Sequence, residues 1–144
     1  MIRRHLLAVW NPSYTTDAMD AHVAVLRERI AAARSAGGDP ADIYVWWGRV
    51  RSPNRQERLP HLAEVLALDE ESPDDDSDAA EMHLYLTDYR SLYVGQVAAI
   101  TAEDVATTEP DHVPAYYRTA GLKCDCWFQL WDIRRLLQDD TVAV

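Results

Sequence analysis

Four of the five tryptophans in this 144-residue chain stand as two close pairs, Trp46 with Trp47 and Trp127 with Trp131, and the fifth, Trp10, closes an apolar run just before Asn11-Pro12-Ser13. Tryptophan offers a large flat apolar face and one N–H donor, so it serves either to fill a core or to sandwich a flat ligand. Arg49, Arg51, Arg55 and Arg58 follow the first pair as a basic stretch interrupted only by Glu57, and Arg49, Arg51 and Arg55 could neutralise phosphates beside such a ligand. The alternative is a solvated strand edge. Asn11, Ser13 and Asp88 carry the hydrogen-bonding groups that read the edge of a base, although turn formation is the commoner role of Asn-Pro-Ser.

Other chemistries find less support. Cys124 and Cys126 are two residues apart, which is the wrong spacing for a tetrahedral zinc set and too strained for a disulfide along a strand. The histidines at 5, 22, 61, 83 and 112 are scattered, and none sits in a nucleophile motif or a phosphate loop. His22 falls on the apolar face of a helical pattern and is expected to be packed there. The expectation is therefore a binding module with no catalytic residues, no metal and no cofactor.

Net charge is −10, which by itself argues against nucleic acid. Seven of the acidic residues, however, lie within positions 69–78, leaving about −3 for the remainder. That Ser/Pro/Asp run cannot bury apolar surface and reads as a solvated loop, so the global charge decides little. With 48% hydrophobic residues and no apolar run of the length a spanning helix needs, the chain reads as one cytoplasmic domain over 1–144. The two cysteines are no disulfide framework, which favours a reducing compartment.

The elements that must position these residues follow from periodicity. Residues 5–10 read as a strand, and 17–36 as an amphipathic helix capped by Thr16 and stopped at Gly37-Gly38. Residues 43–51 read as an aromatic strand and 59–68 as a short helix. Residues 82–87 and 91–100 form a hairpin closed by Asp88-Tyr89-Arg90. Residues 101–104 open a helical turn, and 109–121 read as irregular, with Tyr116-Tyr117-Arg118 exposed. The last strand spans 123–133, with a helix beginning at 134–137. On a strand Trp46 and Trp47 point to opposite faces, so only one can line a given pocket, whereas Trp127 and Trp131 share a face and read as core. The class is α+β, with five or six mostly antiparallel strands and two main flanking helices.

In that order, Val9-Trp10-Asn11-Pro12-Ser13, the Gly-bearing strand at 92–98 and the closing Trp127-Phe128-Gln129-Leu130-Trp131-Asp132-Ile133 resemble the PUA-like superfamily, nearest its EVE and YTH branches. The resemblance implies a twisted β-barrel with flanking helices that takes a flipped, modified (methylated) base into an aromatic cage. By position, Trp46 or Trp47 would be a cage wall and Asn11 and Ser13 base-edge partners. Trp10, Asp88 and Tyr89 complete the expected ligand-facing set, and Arg49, Arg51 and Arg55 the backbone contacts. No second cage tryptophan follows the Gly-bearing strand, a departure from the pattern. The implied partner is DNA or RNA carrying a modified base. The implied context is the N-terminal sensor module of a larger prokaryotic defence protein, an expectation drawn also from the chain ending as a helix begins. The competing readings are a protein-interaction or regulatory domain with every tryptophan in the core, and a small PUA-like nuclease.

Overall fold

The computed structural model describes residues 3–10, 15, 17–35, 37–51, 62–68 and 81–137. Asn11, Ser13, Thr16, Arg55 and the acidic run at 69–78 lie outside them. Among these residues five strands form one sheet: β1 (Arg3–Val9), β2 (Val45–Val50), β3 (Glu81–Thr87), β4 (Leu92–Thr101) and β5 (Cys124–Leu137). Their lateral order is β1-β3-β4-β5-β2. Only β1 with β3 runs parallel, and the other three pairings are antiparallel. The chief helix is α1 (Ala18–Ser35), followed by the shorter α2 (Leu62–Ala67), α3 (Val105–Thr108) and α4 (Tyr116–Thr119). This is the α+β arrangement expected, with the long helix and the short one both present among the described residues.

Alternation along the strands divides the interior into two cores. Val45, Trp47, Leu84, Leu86, Ile100, Phe128 and Leu130 face one side of the sheet, where Met19, Val25 and Leu26 of α1 cover them. Trp46 and Trp127 face the other side and pack with Val105, Ala106, Val113 and Tyr117 from the α3–α4 segment. Adjacent tryptophans thus fill different cores, as the period of two requires. α1 ends where Gly37 takes φ +62°, and the Gly38 N–H then reaches the Ala33 carbonyl at 2.9 Å. A left-handed glycine at this point is a common helix stop.

Three local expectations are corrected. Residues 134–137 continue β5 and form no helix, because Val94, Tyr93 and Leu92 of β4 pair with Arg134, Arg135 and Leu137. Residues 109–121 carry a 3-10 turn (Pro110–His112) and α4, and Tyr117 is buried where an exposed side chain was expected. Trp127 and Trp131 do not share a core face: Trp127 is 2% exposed and Trp131 is 52% exposed. Gln96 pairs with Asp132 but Val97 pairs with Leu130, so Trp131 is the extra residue of a bulge and alternation restarts beyond it.

The tightest contact lies at Gly48, where a Cβ would sit 2.5 Å from Cys124 Sγ and 2.7 Å from Trp127 Cζ3. Gly48→Ala must push the indole against the α3–α4 core, at a cost of about 1–3 kcal/mol. Urea denaturation should show the midpoint lowered with the slope unchanged, and an unaltered midpoint would mean this approach is not tight.

Candidate functional site

Because β1 runs parallel to β3, its end arrives beside the β3–β4 turn. Trp10 continues the ladder, its N–H donating to the Thr87 carbonyl at 3.1 Å. There Trp10 meets Tyr93, the second residue of β4, edge-to-face with ring centroids 5.9 Å apart. Arg135 near the end of β5 lies over the Tyr93 ring at 5.8 Å. The start of α1 closes the opposite side. The result is a pocket of about 420 Å³ lined by Trp10, Asp17, Asp20, Asp88, Tyr93 and Arg135, with Arg90, Ser91, Ala18 and Met19 completing it.

The turn forming its rim is held by side chains. Asp88 Oδ1 accepts the N–H groups of Arg90 and Ser91, each at 2.9 Å. Thr87 Oγ1 donates to the Ser91 carbonyl at 2.7 Å and accepts the Tyr89 N–H at 2.9 Å. Between them Tyr89 takes φ +74° with its ring 75% exposed. For a residue of this bulk that conformation costs about 1–2 kcal/mol.

Among the described residues, Asp17, Asp20, Arg90 and Arg135 make no ion pair with one another, and Asp88 Oδ2 has no partner. Carboxylate oxygens accept from N–H groups, guanidiniums donate to anionic oxygens, and the Trp10–Tyr93 corner supplies apolar area. Together they suit a flat molecule that bears N–H donors and an attached anion. A second groove of about 580 Å³ shares Asp17 and Asp20 and runs between α1 and residues 110–118.

The remaining residues singled out from sequence lie elsewhere. Trp46 and Trp47 are 4% and 2% exposed, each within a core, and neither lines these two pockets. Trp46 Nε1 is buried with no partner among the described residues. Arg49 donates to the Val50 carbonyl at 3.3 Å. Arg51 is committed to Asp125, Nε to Oδ1 at 2.8 Å, and that carboxylate is fully buried. Trp10 and Asp88 are thus brought together on the pocket wall, with Tyr89 at the rim and the β2 residues away from it.

The residue pattern alone does not single out Tyr93, Arg90, Arg135, Asp17 or Asp20 as ligand-facing. The hairpin was legible, and it places Arg90 in the turn and Tyr93 just after it on β4. Nothing in the residue pattern says that β1 pairs in parallel with β3, and that pairing is what delivers Trp10 to them.

Two further groups define the interior around the site. His22 on α1 is fully buried, its Nδ1–H donating to the Ala18 carbonyl at 2.7 Å. A carbonyl only accepts, so the proton is on Nδ1 and Nε2 accepts the Tyr117 hydroxyl at 3.1 Å. The same hydroxyl oxygen accepts the Gly48 N–H at 3.0 Å. Burial pulls the imidazole down to about 4, against a smaller opposing effect of the Ala18 bond. This chain ties α1, α4 and β2 together through one neutral histidine. Burial, then the Asp125 charge, pushes the Cys126 thiol up to about 11, and burial raises Cys124 further, so both are protonated at neutral pH. Among the described residues no three His, Cys, Asp or Glu side chains are grouped to hold a metal ion. No described helix is long and apolar enough to cross a membrane.

Comparison with known families gives a match to the model described as Pua-like over residues 39–142, from the Asp39 turn through β5. Trp10, Asp17 and Asp20 precede the matched segment, while Asp88, Arg90, Tyr93 and Arg135 fall within it. No curated protein and no solved structure matches the chain.

Proposed function

The chain belongs to the Pua-like family, and from that footing we propose that it is a nucleic-acid-binding module that takes a flipped, methylated base into the Trp10–Tyr93 pocket. Family membership is consistent with nucleic-acid binding. The finer reading draws on the EVE- and YTH-like order of segments, and in it the twisted sheet is the wall of a small barrel. The observation that carries it is the meeting of Trp10 and Tyr93 with three carboxylates and two guanidiniums that have no ion-pair partners among the described residues. The pocket volume of about 420 Å³ falls within the roughly 300–1,000 Å³ of ligand sites.

Roles follow from chemistry. The Trp10 ring replaces the stacking a base loses on leaving its helix, and a methyl group adds apolar contact. Asp88 Oδ2, held in place by the turn, accepts from the base's amino group. Arg90 and Arg135 face the flanking phosphates, a job expected from sequence of Arg49, Arg51 and Arg55. The wider setting proposed is the cytoplasm, as sensor module of a larger prokaryotic defence protein.

Titrating intrinsic tryptophan fluorescence with short DNA and RNA carrying N6-methyladenine or 5-methylcytosine tests the reading. Quenching at low salt is expected, and its absence with every oligonucleotide would overturn the proposal. Two phosphate contacts give a slope of log K against log[salt] of about −1.4 for single strands. Arg90→Ala should bring that slope down by about 0.7, whereas an unchanged slope would remove Arg90 from the interface.

A further inference from the structure

Tyr89 is 75% exposed, more than any other large apolar side chain among the described residues, and it sits in the left-handed backbone region at φ +74°. Bulky residues avoid that region, whereas glycine enters it freely. The turn holds it there with bonds on both sides: Thr87 Oγ1 takes the Tyr89 N–H, Asp88 Oδ1 takes the next two N–H groups, and the Thr87 hydroxyl ties down Ser91. Its chain neighbours, Asp88 and Arg90, both line the pocket. The ring contributes nothing to either core, so the fold gains nothing from a tyrosine at this strained position. Such outliers persist where the surroundings over-determine them, and they cluster at functional sites.

We propose that Tyr89 is a wedge that enters the base stack of a duplex and fills the gap left when the neighbouring base turns into the pocket. The inference rests on the base-binding reading above and adds the duplex as the form recognised. An extruded base leaves two neighbours without a stacking partner, and that loss must be offset for extrusion to be populated. An aromatic ring has a face for each of them and is tolerant of their identity. A ring pre-set by a clamped turn loses little freedom on insertion, and Arg90 beside it meets the phosphates that the opening displaces. A ligand-facing wall residue would instead sit inside the pocket, where Tyr93 already does.

The experiment uses one fluorescein-labelled strand carrying a single N6-methyladenine, alone and in a duplex, with a 5-methylcytosine pair in parallel. Affinities are read by anisotropy for the natural protein, Tyr89→Gly, Tyr89→Asn and Tyr89→Phe. Glycine and asparagine accept the left-handed turn without the ring, so both variants should melt no lower than the natural protein. They should lose roughly 10-fold or more in duplex affinity, with single-strand affinity unchanged, while phenylalanine retains both. Equal loss on both substrates, no loss on the duplex, a lower melting temperature, or a natural protein that binds the single strand but not the duplex would each overturn the wedge and leave the pocket reading standing. A natural protein that binds neither form overturns the pocket reading and the wedge with it.

Discussion

Lowering the pH from 7 to 4 is expected to remove about 3 kcal/mol of folding stability through His22 alone. The folded imidazole titrates near 4, against an ordinary value near 6.5, because burial disfavours its charged form. Above 6.5 it is neutral in both states and its full contribution is present. As pH falls through 6.5, the unfolded chain takes up a proton that the folded chain refuses. Stability then declines by about 1.4 kcal/mol per pH unit until the folded protein also protonates near 4. Protonation places a hydrogen on Nε2, which removes the acceptor for Tyr117 and disturbs the hydroxyl holding the Gly48 N–H. Urea midpoints measured at several pH values should therefore fall more steeply for the natural protein than for His22→Gln, whose amide does not titrate. Parallel pH profiles for the two proteins would show that His22 is not held neutral.

Trp10→Ala is expected to weaken binding to a methylated-base oligonucleotide by roughly 10- to 100-fold, since base stacking on an aromatic face is worth about 1–3 kcal/mol. Trp10 is only partly buried, so the variant should keep its far-ultraviolet circular dichroism and its cooperative unfolding. Trp46→Ala and Trp47→Ala should behave differently. Each opens a cavity in a packed core, at about 3–5 kcal/mol, and any loss of binding should track loss of folding. Full affinity in a well-folded Trp10→Ala protein would exclude Trp10 as the pocket wall. Asp88→Asn tests the turn side of the pocket with the turn preserved, because the amide oxygen can still accept the Arg90 and Ser91 N–H groups. Its amide nitrogen then faces the ligand as a donor where Oδ2 was an acceptor. Preference should move from bases with an amino group toward bases with a carbonyl at that edge, and unchanged preference would remove Asp88 from base reading.

Much of the fold was legible because it is local. The helix at α1 follows from a 3.6-residue apolar pattern and a glycine stop, and the β3–β4 hairpin from two β-rich runs around Asp88-Tyr89-Arg90. Trp46 and Trp47 had to part company by the pleat alone, and they do. Errors arose where a register shift or a partner strand overrode local pattern. The bulge at Trp131 turned an expected core residue outward, and pairing with β4 kept 134–137 extended where the residue types allowed a helix.

For the site, the residue order already carries the inventory: aromatic residues, a carboxylate in the hairpin turn and arginines. It also determined that the two β2 tryptophans could not share one wall, since side-chain alternation needs no tertiary information. Strand pairing, in contrast, sets which of these groups meet. The parallel pairing of β1 with β3 joins positions 10 and 87 across 77 residues, a contact that no periodicity encodes. It sets Trp10 against Tyr93 and Arg135, and it leaves Trp46 and Trp47 to fill the cores. Arg51, an apparent phosphate contact, is instead drawn to Asp125, because a buried carboxylate demands a cation more strongly than solvent does.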